Sequence, residues 1–398
     1  MKIQIKIRML TVLTAMLIGG AAVMTRDASA ATLTVDDNGV QCPGAAFTTI
    51  QSAVAVASPG DTIKVCAGSY SGDVNIPASL TGLKLKGAKQ GSPFSGRTFA
   101  GPAESTLTGK ITVMAANVTI RGFSLTNPNG SLGILVKTSG SGAEIQHNII
   151  DTVTTSAGNA VGIYLEYGPD NVSITRNVIR NLNSNLSAQG ILIGDSTSGD
   201  PSLNINIQGN LIENITSTLK GAYGVQVNNG SSTAPTATGY SVVVIKDNII
   251  DHLAGQGWAH AIGLEGDTPG VVVKGNCISD IKDLTPTPFN NAIAVWFEDN
   301  PSFGSGKVNN NNFDRVEYGI VVHPALTTAF PSALVDGEKN WWGASNGPGP
   351  IGPGSGAKVS PGVDYRPWLR SRGDSCGGDR RGDDGDDNDN RDDDRDDH

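Results

Sequence analysis

A lysine and a glutamate end two similar short strings of the sequence. Lys137 closes "GILVK" and Glu166 closes "GIYLE". If the two strings are neighbouring strands, strand spacing places these side chains about 5 Å apart, with Tyr164 on the same face. An ammonium group can serve as cation or base in a β-elimination, and a carboxylate can tune it or help to bind Ca²⁺. Lys137 and Glu166 are therefore the candidate catalytic residues, and the alternative is a surface ion pair of little energetic worth.

Strings of the same kind recur, and their outward residues form two predicted columns. Each string begins with a small residue: Gly133, Gly162, Gly190, Gly224, Ala261, Ala292 and Gly319. The first column is Leu135, Tyr164, Leu192, Gln226, Gly263, Ala294 and Val321. The second column is Lys137, Glu166, Gly194, Asn228, Glu265, Trp296 and His323. The polar and aromatic members predict a binding surface made of Tyr164, Gln226, Asn228, Glu265, Trp296 and His323.

Two carboxylates placed for sugar hydrolysis are harder to find on this surface. Glu166 and Glu265 stand three strings apart, which is roughly 14 Å at the spacing of neighbouring strands. Hydrolysis needs carboxylates about 5–5.5 Å or 6.5–9.5 Å apart, so this pair is too distant without help from loops. The segments that we assign to loops add Tyr167, Tyr223, Trp258, His260, Asp267, Glu298 and Asp299. No spacing of His, Cys and carboxylate residues predicts a zinc or copper site.

The elements that must position these residues are short strands in an irregular repeat. The pattern apolar-x-apolar-x-x-Asn-x-apolar occurs in "AEIQHNII", "VSITRNVI", "INIQGNLI", "VVIKDNII" and "VVVKGNCI", with weaker copies in "VNNNNF" and "VTIRGFSL". Each repeat holds three short stretches of alternating apolar residues and no helical periodicity. Strands this short bury a continuous interior only when successive coils stack, as in a solenoid. The sequence therefore predicts an all-β parallel β-helix.

The repeated asparagines are predicted to have a structural role. Identical positions of stacked coils lie about 4.8 Å apart, so each side-chain amide can donate to one neighbouring Asn and accept from the other. Such a ladder satisfies polar groups that would be costly to bury unpaired. We assign this structural role, and no catalytic one, to Asn148, Asn177, Asn210, Asn248 and Asn276.

The front of the solenoid needs a cap. The string "FTTIQSAVAVASPG" predicts a short N-terminal capping helix that begins after Thr48 or Thr49, and "DTIKV" is predicted to be the first strand. The apolar face of this helix is expected to be Ile50, Ala53, Val54 and Ala57.

Both termini are predicted to be separate from the solenoid. Residues 1–30 have the charged start, apolar run and small-residue cleavage site of a secretory signal peptide. Residues 371–398 contain 12 Asp and 5 Arg and no large apolar residue, which predicts a disordered Asp-rich tail. The β-helix domain is then 31–370, and it holds no run long enough to span a membrane.

Charge and cysteine usage narrow the partners and the compartment. The formal net charge is −9 and we find no basic patch in the sequence, so we expect no nucleic-acid partner. Four cysteines in an exported chain favour disulfides and a secreted or periplasmic location. Cys42 and Cys66 are predicted to pair, whereas Cys277 and Cys376 either pair or both stay free.

The front block, the Asn-anchored coils and the closing "NWWGASNGPGP" together resemble the right-handed parallel β-helix proteins of the pectate-lyase-like superfamily, over about residues 47–369. The tryptophans Trp341, Trp342 and Trp368 predict an aromatic lid, with a sugar-stacking platform as the alternative. The resemblance implies a polysaccharide partner and a sugar groove on the outer face that carries Lys137 and Glu166. We expect a monomer, because both sheet ends are predicted to be capped.

The resemblance predicts the fold more specifically than it predicts the activity. The chain lacks the catalytic strings of pectate lyases, pectin esterases, polygalacturonases and alginate epimerases, so no catalytic residue carries over from them. The expected function is interaction with polysaccharide, with lyase activity on uronate-containing chains as its catalytic form and Ca²⁺ as a candidate cofactor. The alternative is a non-catalytic surface or matrix protein that presents loops to a partner.

Overall fold

The computed structural model describes residues 30–92, 97–194, 202–228, 243–266, 268–285, 291–298, 300, 302–373 and 376. The predicted signal peptide, up to residue 29, and most of the predicted acidic tail lie outside the described residues. No helix in the described part of the chain is long and apolar enough to cross a membrane.

Three parallel sheets form the described body of the protein. Sheet A has twelve described strands: Thr32–Val35, Thr62–Val65, Lys84–Lys86, Thr119–Arg121, Glu144–Gln146, Ser173–Thr175, Ile205–Gln208, Val243–Lys246, Val272–Lys274, Lys307–Asn309, Val335–Asp336 and Val363–Asp364. Sheet B has nine: Gly68–Ser71, Ser105–Thr108, Phe123–Asn127, Ile149–Thr155, Val178–Ser184, Leu211–Ser217, Ile249–Gly255, Cys277–Asp283 and Asn312–Asp314. Sheet C has eleven: Val74–Ile76, Ile111–Val113, Leu132–Val136, Ala160–Leu165, Ala188–Ile193, Gly221–Asn228, Trp258–Glu265, Ala292–Phe297, Tyr318–Val322, Pro348–Pro350 and Gly356–Val359.

The alternating apolar residues of these strands meet inside the coil. On sheet A, Ile145 pairs with Ile174 and Ile174 with Ile207, and all three are fully buried. The same stacking continues through the other two sheets, so one interior runs along the helix axis. The predicted all-β right-handed parallel β-helix is confirmed.

A short helix caps the front of the coil, as predicted. It spans Ile50–Val56, and the hydroxyl of Thr49 accepts a hydrogen bond from the N–H of Ser52 at 3.2 Å. The prediction that "DTIKV" is the first strand was wrong, because Thr32–Val35 has the same alternation and pairs with Thr62–Val65 in register. The other described helical segments are Pro324–Ala329 and the 3₁₀ turns Thr138–Gly140 and Phe303–Ser305.

Aromatic packing and disulfides fix the ends of the coil. Trp342 is fully buried, with its ring centre 5.3 Å from that of Phe313, and Trp368 packs partly on the same core. Trp342 and Trp368 fit the predicted lid, whereas the indole N–H of Trp341 donates to Asp314 at 3.1 Å. The disulfide Cys42–Cys66 is confirmed, and Cys277 and Cys376 also pair, with their Cα atoms 5.6 Å apart.

A ladder of buried asparagines joins sheet A to sheet B at each turn. In each step, the side-chain Nδ2 and the backbone N–H of one Asn both donate to the Oδ1 of the next Asn, at 2.8–3.1 Å. Each Nδ2 also donates to a strand carbonyl, as Asn210 does to Ile174 at 2.9 Å. The predicted ladder is confirmed, and its members are Asn148, Asn177, Asn210, Asn248, Asn276, Asn311 and Asn340.

The substitution Asn210→Ala tests the energetic weight of this ladder. It leaves the backbone N–H and the Nδ2 of Asn177 buried without the Oδ1 that they share. Two orphaned buried donors predict a loss of about 2–6 kcal/mol in the free energy of unfolding, measured by denaturant titration. Asn206→Ala on the outer face of sheet A is the matched control and should change that free energy by about 0.5 kcal/mol or less. Equal effects of the two substitutions would contradict the role of the ladder.

Candidate functional site

The outer face of sheet C carries three columns of side chains in register from coil to coil. The first is Gln189, Tyr223, His260, Ile293 and Tyr318. The second is Leu135, Tyr164, Leu192, Gln226, Gly263, Trp296 and Val321. The third follows at the strand ends and is Lys137, Glu166, Gly194, Asn228, Glu265, Glu298 and His323.

The predicted columns were wrong at one string. The small residue in register with Ala261 is Ala294, not Ala292, because Ile262 pairs with Val295. Trp296 therefore lies beside Gly263, and Glu298 takes the predicted place of Trp296 beside Glu265. Trp296 keeps its predicted outward direction. The prediction for Ala294 was wrong, because this residue is fully buried in the interior and Ile293 lies in an outward column.

Glu265 is the centre of a hydrogen-bonded network on this face. Its Oε1 accepts from the hydroxyl of Tyr223 at 3.1 Å and from the amide of Gln226 at 2.8 Å, and its Oε2 accepts from Asn228 at 3.2 Å. The amide of Gln189 donates in turn to Gln226 at 3.1 Å. We call these five residues the Glu265 network. It brings together three predicted site residues and fixes the direction of a carboxylate at the surface of a rigid sheet.

Tyr223 supports this network from a nearly buried position. Its hydroxyl accepts from the indole N–H of Trp258 at 2.7 Å while it donates to Glu265. Burial, together with the negative charges of Glu265 and Glu298, raises the pKa of Tyr223 well above its usual value. The phenol therefore stays protonated and acts as a hydrogen-bond donor. Gly263 leaves the space for it, because a Cβ there would lie 2.9 Å from the Tyr223 ring.

His260 is buried between two aromatic rings. Its ring centre lies 5.4 Å from that of Tyr223 and 5.5 Å from that of Trp296, and only 4% of the residue is exposed. Neither ring nitrogen has a hydrogen-bond partner among the described residues. Burial lowers the pKa of His260 to about 3, so the imidazole is neutral at physiological pH. The prediction of loops for Tyr223, Trp258 and His260 was wrong, because all three lie on strands.

Trp296 and His323 were both predicted to bind substrate. In the structure, both pack against neighbouring side chains of the outer face. Trp296 is 6% exposed and forms a small apolar cluster with Ile293 and Val321. Its indole N–H donates to Glu298 at 3.3 Å. His323 stacks edge-on against Trp296 at 5.7 Å, and its Nδ1 accepts from the N–H of Ala325 at the start of helix Pro324–Ala329. These contacts hold both side chains in place, and their role in substrate binding stays a prediction.

Lys137 and Glu166 lie together as predicted, nearer the front of the same face. The Lys137 ammonium forms an ion pair with the Glu166 carboxylate, and it lies 5.7 Å from the centre of the Tyr167 ring. The Lys137 side chain is 37% exposed and that of Glu166 is 15% exposed. Glu265 is four coils from Lys137, or about 19 Å at the spacing of parallel strands. The predicted catalytic pair and the Glu265 network are therefore separate places on one surface.

Calcium does not fit the Lys137 and Glu166 pair, because the ammonium already neutralises the carboxylate that would bind it. Among the described residues, one group of three potential metal ligands lies on the outer side of sheet B: Asp251, His252 and Asp280. There, Arg315 donates two hydrogen bonds to Asp280 and lowers the pKa of that carboxyl. His252 is hydrogen-bonded to Asp251 at 2.6 Å. Because these partners already bond the two carboxylates, little negative charge is left to bind a metal ion.

Comparison with known proteins gives fold-level likeness only. No family model and no curated protein matches the chain. Similar solved structures are a PL6 family alginate lyase, AlyGC (12% identity, 84% of this chain and 53% of that chain, TM-score 0.30), and PfbA, a surface adhesin of Streptococcus pneumoniae (13%, 68% and 82%, 0.30). A third is ORF18 of Geobacillus virus E2 (12%, 73% and 60%, 0.29). The chain thus spans about half the length of the alginate lyase, and such low values support no statement about activity.

The substitution His260→Phe tests the burial of the imidazole. The folded pKa of about 3 lies below the ordinary 6.5, so the unfolded chain binds a proton that the folded chain does not. Stability is therefore lost as the pH falls below 6.5, by about 1.4 kcal/mol per pH unit. Between pH 7 and pH 5 the wild type should lose about 2 kcal/mol more unfolding free energy than His260→Phe in matched denaturant titrations. If the wild type and His260→Phe lose the same unfolding free energy between pH 7 and pH 5, the pKa of His260 is not lowered in the folded protein and the prediction is wrong.

Proposed function

We propose that the protein is exported and binds polysaccharide along the outer face of sheet C. The observation that carries this proposal is the Glu265 network, in which a surface carboxylate is held by three side-chain donors. Preorganised acceptors and donors on a rigid sheet can bond sugar hydroxyls without a large ordering cost. The half-buried Tyr164 and the exposed Tyr167, towards the front of the same face, offer aromatic surface to a sugar ring. Two disulfides support an oxidising compartment.

The length of the face, which spans eleven described strands, favours a polymer over a small ligand. Strand follows strand along sheet C at about 4.8 Å, so equivalent side chains recur in a line. Glu166, Glu265 and Glu298 all stand in the third column, where Lys137 is the charged partner of Glu166. Carboxylates in such a line accept hydrogen bonds from hydroxyl groups that recur along a sugar chain. A chain laid along the helix axis would contact several coils at once.

The catalytic form of this proposal is β-elimination on a uronate-containing chain at Lys137 and Glu166. The Lys137 ammonium would neutralise the uronate carboxylate, which makes the proton on the adjacent carbon more acidic. Glu166, in contact with Lys137, would take that proton. The electron pair would form the carbon–carbon double bond, and the glycosidic oxygen would leave and take up a proton from water. The products are an unsaturated sugar end and a new hydroxyl end.

Polymer binding is tested with the double variant Tyr164→Ala, Glu265→Gln. Affinity gels containing polygalacturonate, alginate or a neutral xylan should retard the wild-type protein, and the variant should bind the retained polymer about tenfold more weakly. The matched control is Tyr365→Ala, Glu338→Gln near the far end of sheet A, which should bind as the wild type does. Equal mobility of the wild type in every gel and in a gel without polymer would refute the proposal.

Elimination is tested by the ultraviolet absorbance of unsaturated product from polygalacturonate and alginate, with and without Ca²⁺. We expect Lys137→Ala to lower turnover by about 10²-fold or more, because it removes the cation that neutralises the uronate. The control is Lys358→Ala, which breaks the Lys358–Glu317 ion pair near the end of sheet C that is farther from Lys137. It should leave turnover unchanged. Turnover that survives in Lys137→Ala would contradict the assigned site. Retardation without product would favour the non-catalytic alternative, a surface or matrix protein.

A further inference from the structure

A line of cationic side chains follows the outer face of sheet A. Lys64, Lys86 and Arg121 stand in register on three successive coils, and Lys246 and Lys274 do so on two later ones. Polar uncharged residues occupy the same position on the coils between the two groups, so the column contains no apolar residue. We call it the cationic stripe: Lys64, Lys86, Arg121, Gln146, Thr175, Gln208, Lys246 and Lys274.

The stripe contains no carboxylate, although the whole chain has a net charge of −9. No described carboxylate forms an ion pair with any of the four lysines of the stripe. In the adjoining column of the same face, Glu144 accepts from Gln146 at 3.2 Å and its negative charge acts on Arg121. Lys84 in that column adds a further cation beside Lys86. The positive charge of the stripe is therefore left largely uncompensated by the protein.

Like charges are held close together within this line. Neighbouring positions on parallel strands are about 4.8 Å apart, and Lys86 stands in register between Lys64 and Arg121. Burial, with the positive charges of Lys84 and Arg121, lowers the pKa of Lys86. A folded protein that keeps such a repulsive stack gains stability when an anion binds across it.

We propose that the outer face of sheet A binds an anionic polysaccharide, laid along the helix axis on the cationic stripe. The carboxylates of a polyuronate complement the five cations, and Gln146, Thr175 and Gln208 can bond its hydroxyl groups. Nucleic acid fits less well, because the described stripe has no aromatic side chain on which bases could stack. This site lies on a different sheet from the Glu265 network and does not depend on the function proposed there.

The site is tested by the affinity of the full chain for polygalacturonate over a series of NaCl concentrations. The stripe variant carries Lys64→Gln, Lys86→Gln, Lys246→Gln and Lys274→Gln. It should bind about tenfold more weakly or worse, and its affinity should depend less steeply on salt, because fewer cations neutralise the polymer. The matched control removes the same charge from sheets B and C and their turns, with Lys110→Gln, Lys220→Gln, Lys282→Gln and Lys358→Gln. Its affinity should stay within about twofold of the wild type.

Three results would overturn the inference: no salt-dependent binding by the wild type, equal losses in the stripe and control variants, or tighter binding of single-stranded oligodeoxythymidylate than of polygalacturonate. Thermal unfolding of both variants without polymer confirms that they fold. The double variant Tyr164→Ala, Glu265→Gln separates the two surfaces. If it alone abolishes polygalacturonate binding, the polymer lies on sheet C and the stripe proposal fails. If it retains the salt-dependent binding that the stripe variant loses, the stripe is a second and independent site.

Discussion

The structure depends on the register that buried asparagines impose between successive coils. From Asn177 onward, each Asn amide oxygen accepts two hydrogen bonds from the preceding Asn, and the oxygen of Asn148 accepts from the N–H of Phe123. Each Asn side chain also donates to a strand carbonyl, as Asn210 does. An amide that is buried without partners is costly, so a coil shifted by one residue would lose these bonds and bury orphaned groups. The apolar stacks inside the coil would tolerate exchanges among Ile, Leu and Val more easily. The ladder thus supplies the specificity of the stacking, and the apolar interior supplies most of its driving force.

Fixed register turns a one-dimensional sequence into surfaces with distinct chemistry. Residues that are far apart in the chain become neighbours, as Lys64 and Lys86 (22 positions apart) do on sheet A and as Asn210 and Asn248 (38 positions apart) do in the ladder. On sheet C this alignment concentrates Glu265 with Tyr223, Gln226 and Asn228. On sheet A it concentrates cations without carboxylates in the same column. The charged residues of the third column on sheet C are thus mostly carboxylates, whereas the cationic stripe on sheet A carries only cations and neutral residues, so the two columns differ in the sign of their charge.

The sequence was most informative where a polar residue recurs in an apolar pattern. Asn148, Asn177, Asn210, Asn248 and Asn276 were assigned correctly because a buried Asn that recurs once per coil requires polar partners, and its counterparts on the neighbouring coils supply them. The contact between Lys137 and Glu166 followed from the same alignment. Alignment failed at "NAIAV", where two alanines with identical alternation left the register ambiguous by two residues. It also failed at Tyr223, because the alternation changes phase at Gly224, where both Ala222 and Val225 point inward. The cationic stripe has no local signal at all, since its lysines become neighbours only after the coils are stacked.

Native-state hydrogen exchange measures whether the turn amides are bonded from coil to coil. If they are, the backbone N–H groups of the turn asparagines exchange as slowly as the core strand amide of Ile179; these are Asn148, Asn177, Asn210, Asn248, Asn276 and Asn311. Exchange of these six amides as fast as that of the exposed Ser156 would contradict the ladder and the register that rests on it.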